Sequence, residues 1–218
     1  MPALGLTDLA NVFGMIKFYR AARDAGVKPI LGCDVWIANA KDREKPSRLL
    51  LLCQSRTGYL RLSELLSRAY RFNQWRGRAE IDPAWLDEGA TEGLICLSGG
   101  PFGDVGQPLL NDNEEQARRN ALHWCGLFPN RFYLEVQRTG DPRVDALARR
   151  TLRFASREAL PAVATHPVQF MRAEDFRAHE ARVCIAQGYV LGDSRRPKAF
   201  TPQQYFKTQA EMAELFAD

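Results

Sequence analysis

Three acidic residues and one histidine stand at or near the ends of apolar, strand-like runs, and these are the residues that could do chemistry. They are Asp8, Asp34, Glu135 and His166. Carboxylates and imidazoles that converge on one point bind divalent metal ions and promote hydrolysis of phosphoesters. Nothing in the spacing of these residues requires a metal ion. The alternative, which we favour, is that these polar strand ends hydrogen-bond to loops and to helix N-termini.

The start of the chain predicts a strand, a helix and a second strand. Apolar runs at residues 3–6 and 27–31 flank a segment whose apolar residues recur at helical spacing: Val12, Met15, Ile16, Tyr19 and Ala22. Gly26 fits the position just past a helix, where a left-handed residue is favoured. Because the carboxyl ends of parallel strands form one rim, Asp8 and Asp34 are predicted to lie together there.

Strands and helices alternate along the rest of the chain. Further strands are predicted at residues 48–53, 93–98, 131–137 and 160–165, and helices at 60–69, 113–126, 142–157, 174–187 and 208–217. This alternation is typical of a parallel α/β fold, and strand-end residues drawn from several strands favour a barrel over a doubly wound sheet. The wholly apolar run 48–53 is predicted to be a central parallel strand. The Gly-rich turn after residue 98 matches no nucleotide-binding motif, which favours a tight strand-to-helix connection.

Composition and charge exclude several classes of protein. The chain has 218 residues, of which 45% are hydrophobic, and it carries a net charge of +4. No apolar run approaches the roughly 18 residues of a membrane-spanning helix. The five cysteines are scattered and form no CxxC pair, so we expect reduced thiols, no zinc ribbon and a cytoplasmic protein. His123 and His179 fall within predicted helices, where they are expected at the surface or at its boundary.

Aromatic and basic residues are interleaved over residues 70–80, a pattern that can stack bases and hold phosphates. The alternative is a loop with half-buried aromatic anchors, which such a short segment favours. The basic residues of this segment and of a second one at residues 195–198 could make weak contact with DNA. They are Arg71, Arg76, Arg78, Arg195, Arg196 and Lys198. A steep fall in affinity with salt would identify that binding.

Several stretches carry a resemblance to a known family. They include ALGLTDLANVFGMIKFYRAARDAGVKPILGCDVWIA, GLICLSGGPFGDVGQPLL and LPAVATHPVQFMRAEDFRAHEARVCIAQGY. In order and spacing the chain resembles the N-terminal polymerase and histidinol phosphatase (PHP) domain of bacterial DNA polymerase III alpha subunits. The resemblance implies one PHP domain over residues 1–218, folded as a distorted seven-stranded (βα) barrel. Its first strand, with an HxH motif, is expected before Met1, and the polymerase domains are expected downstream.

The residues that match the metal-binding motifs of this family depart from them at most positions. The TDH motif of the family reads Thr7-Asp8-Leu9 in this chain, and the Gly-Cys-Glu motif reads Gly32-Cys33-Asp34. A histidine that opens the next strand is replaced by Arg48. The Asn-Asp-x-His motif reads His166-Pro167-Val168-Gln169. Leucine and proline side chains cannot ligate a metal ion. Arg48 would place a guanidinium where a cation is expected, and we predict that it pairs with Asp8 or Asp34. The resemblance therefore implies a site that has lost its metal ions, with no catalytic residue and no cofactor in this domain.

The resemblance also implies that this domain is a scaffold and that it docks the proofreading exonuclease (epsilon) subunit. We predict the docking residues from composition alone as Phe72, Trp75 and Arg76, since aromatic and arginine side chains dominate interface energetics. The parent polypeptide is expected to be a DNA-directed DNA polymerase, with Mg²⁺ only in its polymerase domain, and no membrane partner is expected. The alternative is a phosphoesterase or 3′–5′ exonuclease that uses Zn²⁺ or Mn²⁺ at the strand-end carboxylates.

Overall fold

Strands and helices alternate through the computed structural model, which describes residues 1–87 and 89–217. The strands are β1 (Ala3–Leu6), β2 (Lys28–Ile37), β3 (Ser47–Cys53), β4 (Gln74–Trp75), β5 (Arg78–Ile81), β6 (Leu94–Leu97), β7 (Phe132–Gln137) and β8 (Ala162–Thr165). The helices are α1 (Met15–Asp24), α2 (Arg56–Phe72), α3 (Gly106–Leu110), α4 (Glu114–Leu127), α5 (Pro142–Glu158), α6 (Phe176–Gln187) and α7 (Gln209–Leu215). The predicted α/β class is confirmed.

The described strands form one mixed sheet in the order β4-β5-β2-β3-β6-β7-β8, and β1 also pairs with β2. Neighbours are parallel for β1 with β2, β2 with β5, β6 with β7 and β7 with β8. The remaining pairs are antiparallel: β2 with β3, β3 with β6 and β4 with β5. This sheet, surrounded by helices, is compatible with the expected distorted barrel.

Strand β3 runs opposite to the predicted direction. It pairs antiparallel with β2, where Trp36 faces Arg48, and antiparallel with β6. The physical reason is the short connection at residues 38–46, since a parallel return requires a crossover of a dozen or more residues. The reversal brings the first residues of β3 next to the last residues of β2. Arg48 therefore lies at the rim that carries Asp34.

The core lies between the sheet and α2, α4 and α5, and its largest fully buried side chains include Trp124, Phe128 and Phe154. The apolar face of α2 packs into this core, where Leu62, Leu65, Leu66 and Ala69 are buried. Full burial of such a side chain contributes about 1.5–3 kcal/mol. These contacts hold the strands that carry the rim.

The apolar stripe of helix α1 is mostly not buried. Of its apolar stripe only Ala22 is buried, whereas Ile16 is 54% exposed and Tyr19 is 42% exposed. The helix packs on β1 and β2, and no residue of β1 is itself buried. One side of the stripe therefore meets solvent in the described chain. Gly26 does adopt the predicted left-handed conformation, with φ of 70°.

Two further local predictions fail, for tertiary reasons. Residues 70–80 form the end of α2 and the β4–β5 hairpin rather than a loop, although Trp75 is half-buried as an anchor. His123 is exposed as expected, but His179 is only 5% exposed. It lies among the rings of Phe170 and Phe200, which come from segments on either side of α6. Periodicity within the helix carries no information about these distant rings.

Candidate functional site at the strand ends

Asp8 and Asp34 lie side by side at one rim of the sheet, as predicted. The Asp34 backbone N–H donates to the Asp8 carbonyl oxygen at 3.1 Å, and Leu9 forms an isolated parallel bridge with Asp34. The Cys33 thiol, buried beneath them, donates to the same Asp8 oxygen at 3.2 Å. The Asp8 side chain is half-buried and the Leu9 side chain is exposed.

Arg48 forms an ion pair with Asp34, one of its two predicted partners. Its Nη1 lies 3.1 Å from Asp34 Oδ2, and the side chains are 21% and 23% exposed. The guanidinium is stacked between two rings, 4.3 Å from the centroid of Trp36 and 4.6 Å from that of Phe102. These rings hold the cation in place, because guanidinium groups bind aromatic faces within about 6 Å of the centroid.

The protonation of Asp34 reflects competing influences. The pKa of this carboxyl is raised from 3.8 to about 6, chiefly by burial and to a smaller extent by the charge of Glu135. The neighbouring Arg48 guanidinium opposes both effects. Asp34 Oδ1 is buried without a hydrogen-bond partner in the described residues, so Arg48 satisfies one carboxylate oxygen and leaves the other unpaired.

Glu135 is buried on β7 and is held by neighbouring strands. Its Oε1 accepts hydrogen bonds from Gln137 Nε2 at 3.0 Å and from the Thr165 hydroxyl, and its backbone N–H donates to Ser98 Oγ at 2.9 Å. Burial raises the pKa of Glu135, although these hydrogen bonds partly oppose that shift. The carboxyl thus acts as an internal acceptor that ties β7 to β8.

His166 follows β8 and contacts the segment before α7. Its Nε2 lies 2.9 Å from the Gln203 carbonyl oxygen, whereas Nδ1 is buried with no partner among the described residues. Burial lowers the pKa of this imidazole. The Pro167 carbonyl accepts from Gln204 Nε2 at 3.2 Å, and the Gln169 N–H donates to the Gln204 carbonyl at 2.8 Å.

The structure joins several members of the predicted site through Asp34. Asp34 contacts Asp8 through the backbone and Arg48 through an ion pair, and Glu135 is close enough to affect its charge. His166 contacts the chain near Gln203. Across residues 1–87 and 89–217, no group of three His, Cys, Asp or Glu side chains is arranged to hold a metal ion.

Sequence analysis did not identify the residues that hold these groups. Trp36 and Phe102 enclose Arg48, and Gln137 and Thr165 bind Glu135. A signal existed for Trp36 and Gln137, because each stands two residues after a rim acid and so shares its face of the strand. For Phe102 there was none.

The Gly-rich turn after β6 brings Phe102 over Arg48. Gly99 has φ of 75°, and a Cβ there would collide with the Arg48 carbonyl oxygen. At Gly103, a Cβ would collide with the Ser98 carbonyl oxygen. The predicted tight strand-to-helix connection is thus confirmed, since the glycines allow close approach of backbones.

Comparison with known proteins identifies the family of this chain. The model of the PHP domain family matches residues 1–139. This chain belongs to the PHP domain family.

Over its whole length the PHP chain is also similar to proteins named DNA polymerase III subunit alpha, which confirms the resemblance read from its motifs. The identity is 50% for Neisseria meningitidis serogroup A, 44% for Pseudomonas aeruginosa and 41% for Escherichia coli strain K12. The chain spans only 18–19% of the length of these relatives.

The predicted docking residues of the PHP chain gather at the β4–β5 hairpin. Phe72, at the end of α2, is 68% exposed. Trp75 is half-buried, with the Arg43 guanidinium 5.1 Å from its ring centroid. Arg76 has φ of 47° at the hairpin turn, and its Nη1 lies 3.1 Å from Glu44 Oε2.

Most of the cations considered for contact with DNA have internal partners. Arg78 pairs with Glu80 at 3.0 Å, Arg195 with Asp193 at 2.9 Å, and Arg196 with Glu180 at 2.7 Å. Arg71 lies over the ring of Phe72. These pairs reduce the charge available to phosphates. None of the described helices of the PHP chain is both long and apolar enough to span a membrane.

Proposed function

We propose that this PHP domain is a structural and docking domain of a bacterial replicative DNA polymerase III alpha subunit, in which an arginine replaces the metal site. The names of its relatives support the role in replication. The observation that carries the loss of metal chemistry is the 3.1 Å ion pair between Arg48 and Asp34.

The rim residues do not fit a divalent ion. The Leu9 and Pro167 side chains offer no ligand atom, and the guanidinium of Arg48 already binds Oδ2 of Asp34. A metal ion bound at Asp34 would meet the fixed positive charge of Arg48 in a poorly solvated place, where repulsion is strong. Glu135 is engaged by Gln137 and Thr165. We therefore derive no catalytic step for this rim.

The partner proposed for the domain is the proofreading exonuclease subunit, docked on Phe72, Trp75 and Arg76. The exposed ring of Phe72 beside a half-buried tryptophan and an arginine gives the surface the composition that interface hot spots favour. A hairpin held in one conformation also limits the entropy that binding would cost.

The metal proposal is tested on the purified chain after equilibration with Zn²⁺ and Mn²⁺ and removal of free ions. Metal content is measured, and the same sample is assayed for phosphoesterase and 3′–5′ exonuclease activity. We expect neither stoichiometric metal nor turnover. Stoichiometric metal together with turnover that Asp8→Ala abolishes would overturn the proposal in favour of the enzyme.

The docking proposal is tested by titrating the chain with the purified exonuclease subunit. We expect Phe72→Ala to weaken binding by about tenfold, since truncating a hot-spot residue costs more than about 1 kcal/mol. The matched control is Leu122→Ala, which removes a similarly exposed apolar side chain from α4. Equal affinity for the original chain and the Phe72 variant would place the docking surface elsewhere.

A further inference from the structure

Arginine, tryptophan and acidic side chains form a continuous series from the rim to the β4–β5 hairpin. We call this series the Arg–Trp ladder, and its members are Asp34, Arg48, Trp36, Arg78, Glu80, Arg43 and Trp75. It begins at the ion pair that replaces the metal site and ends at a predicted docking residue. Each member contacts the next through an ion pair or a cation–π contact.

All contacts along the ladder fall within the distance limits of ion pairs and cation–π contacts. The Arg48 guanidinium lies 4.3 Å from the Trp36 centroid, and the Arg78 guanidinium lies 5.7 Å from the same ring. Glu80 accepts from Arg78 Nε and from Arg43 Nη2, both at 3.0 Å. The cation–π contacts fall within the roughly 6 Å over which this attraction operates.

Glu80 is the centre of the ladder, with 0% exposure. A fully buried carboxylate is stable only when cations and hydrogen bonds compensate for its lost hydration. Arg43 and Arg78 supply the cations, and Arg43 Nη2 also donates to Asn73 Oδ1 at 2.9 Å. Asn73 Nδ2 in turn donates to the Glu80 carbonyl at 3.0 Å. The two arginines are thereby fixed against the hairpin.

The hairpin is joined to the sheet on one side only. Strand β5 pairs in parallel with β2, through Trp36 with Glu80 and Ile37 with Ile81. Strand β4 is the edge strand of the described sheet, and it contributes two residues, Gln74 and Trp75, which pair with β5. The turn places Arg76 and Gly77 at positive φ, which matches the twist of a two-residue hairpin loop. Side-chain contacts from outside therefore stabilise the β4 side of the hairpin.

We propose that Arg48 is a positioning residue for the β4–β5 hairpin, so that the replaced strand-end site determines the order of the docking surface. Loss of the Arg48 guanidinium removes a contact from the ring of Trp36, and Arg78 rests against the same ring. Arg78 then holds Glu80 and the hairpin less firmly. The consequence for docking rests on the proposed function, whereas the coupling of Arg48 to the hairpin does not.

The coupling is tested by hydrogen exchange at the Glu80 amide, which donates to the Asn73 carbonyl at 3.2 Å. Arg48→Met removes the charge, and Arg48→Lys keeps the charge but lacks the plane that stacks on Trp36. We expect exchange at Glu80 to accelerate at least about fivefold in both variants, in line with the weakening of a single cation–π contact. The Leu134 amide of β7, which donates to the Pro161 carbonyl at 2.8 Å, reports on the core.

Two controls decide the interpretation. Arg61→Met removes an exposed cation that pairs with Glu64 outside the ladder, and it should leave Glu80 exchange unchanged. Unchanged Glu80 exchange in Arg48→Met and Arg48→Lys would overturn the coupling. Equal acceleration at Glu80 and Leu134 would also overturn it, because the variants would then act only through global stability.

Binding of the exonuclease subunit tests the consequence for docking. We expect Arg48→Lys to weaken binding severalfold, because the loosened hairpin must be ordered on association. Unchanged affinity in a variant whose hairpin exchanges faster would overturn the link between Arg48 and docking. If the unmodified chain does not bind the exonuclease, the docking half of the proposed function fails, and the exchange result alone decides the coupling.

Discussion

Arg48 Nη1 lies 3.1 Å from Asp34 Oδ2 because two adjacent strands run in opposite directions. In a sheet with only parallel strands, the first residues of β3 would lie at the opposite end from Asp34. The short return at residues 38–46 reverses β3 and brings its beginning to the rim. Trp36 and Phe102 then enclose the guanidinium and orient it toward the carboxylate.

Reversing the charge at residue 48 should destabilise the fold. Arg48→Glu leaves Asp34 without its partner and adds a like charge beside it, so we expect a loss of about 3–5 kcal/mol in the free energy of unfolding. Urea denaturation at pH 7 measures this loss. Arg61→Glu reverses an exposed charge and should cost less than about 1 kcal/mol. An unchanged melting temperature for Arg48→Glu would contradict the view that Arg48 neutralises the rim.

Asp34 should make stability depend on pH between about 4 and 6. Its pKa is raised from 3.8 to about 6 in the folded chain, so the folded state holds this proton more tightly than the unfolded state. Stability from this group is therefore greatest at low pH and is lost as the pH rises through that window. The shift corresponds to at most about 3 kcal/mol.

The matched variant for this pH dependence is Asp34→Asn, which cannot titrate. Relative to the variant, the unmodified chain should lose stability from pH 4 to pH 6.5 and then change no further. Denaturation at several pH values measures the difference between the two. A constant difference would show that Asp34 has an ordinary pKa in the folded chain.

His179 should make stability depend on pH in the opposite direction from Asp34. Burial lowers its pKa from 6.5, and Arg182, whose Nη2 lies 3.1 Å from His179 Nδ1, lowers it further, while Glu180 opposes both. Stability from the neutral ring is therefore lost as the pH falls below about 6.5, because the unfolded state takes up the proton first. His179→Leu should reduce the loss between pH 7 and pH 5. A slope that is identical in the variant would assign the effect to other groups, such as His166.

Alanine substitutions at two left-handed glycines separate two contributions to the free energy of unfolding. One is the cost of holding alanine in a left-handed conformation, and the other is the cost of a Cβ that meets another backbone. Gly99 and Gly26 have φ of 75° and 70°, but only at Gly99 would a Cβ meet another backbone. Gly26→Ala should cost about 1–2 kcal/mol from the left-handed conformation alone. Gly99→Ala should cost about 1–3 kcal/mol more, because the Arg48 carbonyl must shift. Equal costs in urea denaturation would show that the turn relaxes freely.

Local features of the chain were predictable because local physics determines them. Gly26 adopts the left-handed conformation that its position just past α1 predicts. The inner face of α2 and the strand-end positions of Asp8 and Glu135 follow from periodicity and from apolar run length. Each of these depends on neighbours a few residues away.

Features that depend on distant partners were missed. The apolar character of β3 gave no information on its direction, which the loop before it determines. Ile16 and Tyr19 fit a buried stripe by spacing, but burial requires a second element that the described chain does not place there. The Arg–Trp ladder joins residues from β2, the loop after it, β3 and the hairpin, so no short window of sequence contains it.

The positive charge beside Asp34 at the rim belongs to the side chain of Arg48, which is a covalent part of the protein. A bound metal ion is subject to supply, exchange, chelation and replacement by a competing metal, whereas a guanidinium enclosed by Trp36 and Phe102 is present as soon as the chain folds. The proposed function therefore implies a domain that matures without a metal-loading step. Its folded yield should be the same in cells starved of zinc or manganese as in cells supplied with both.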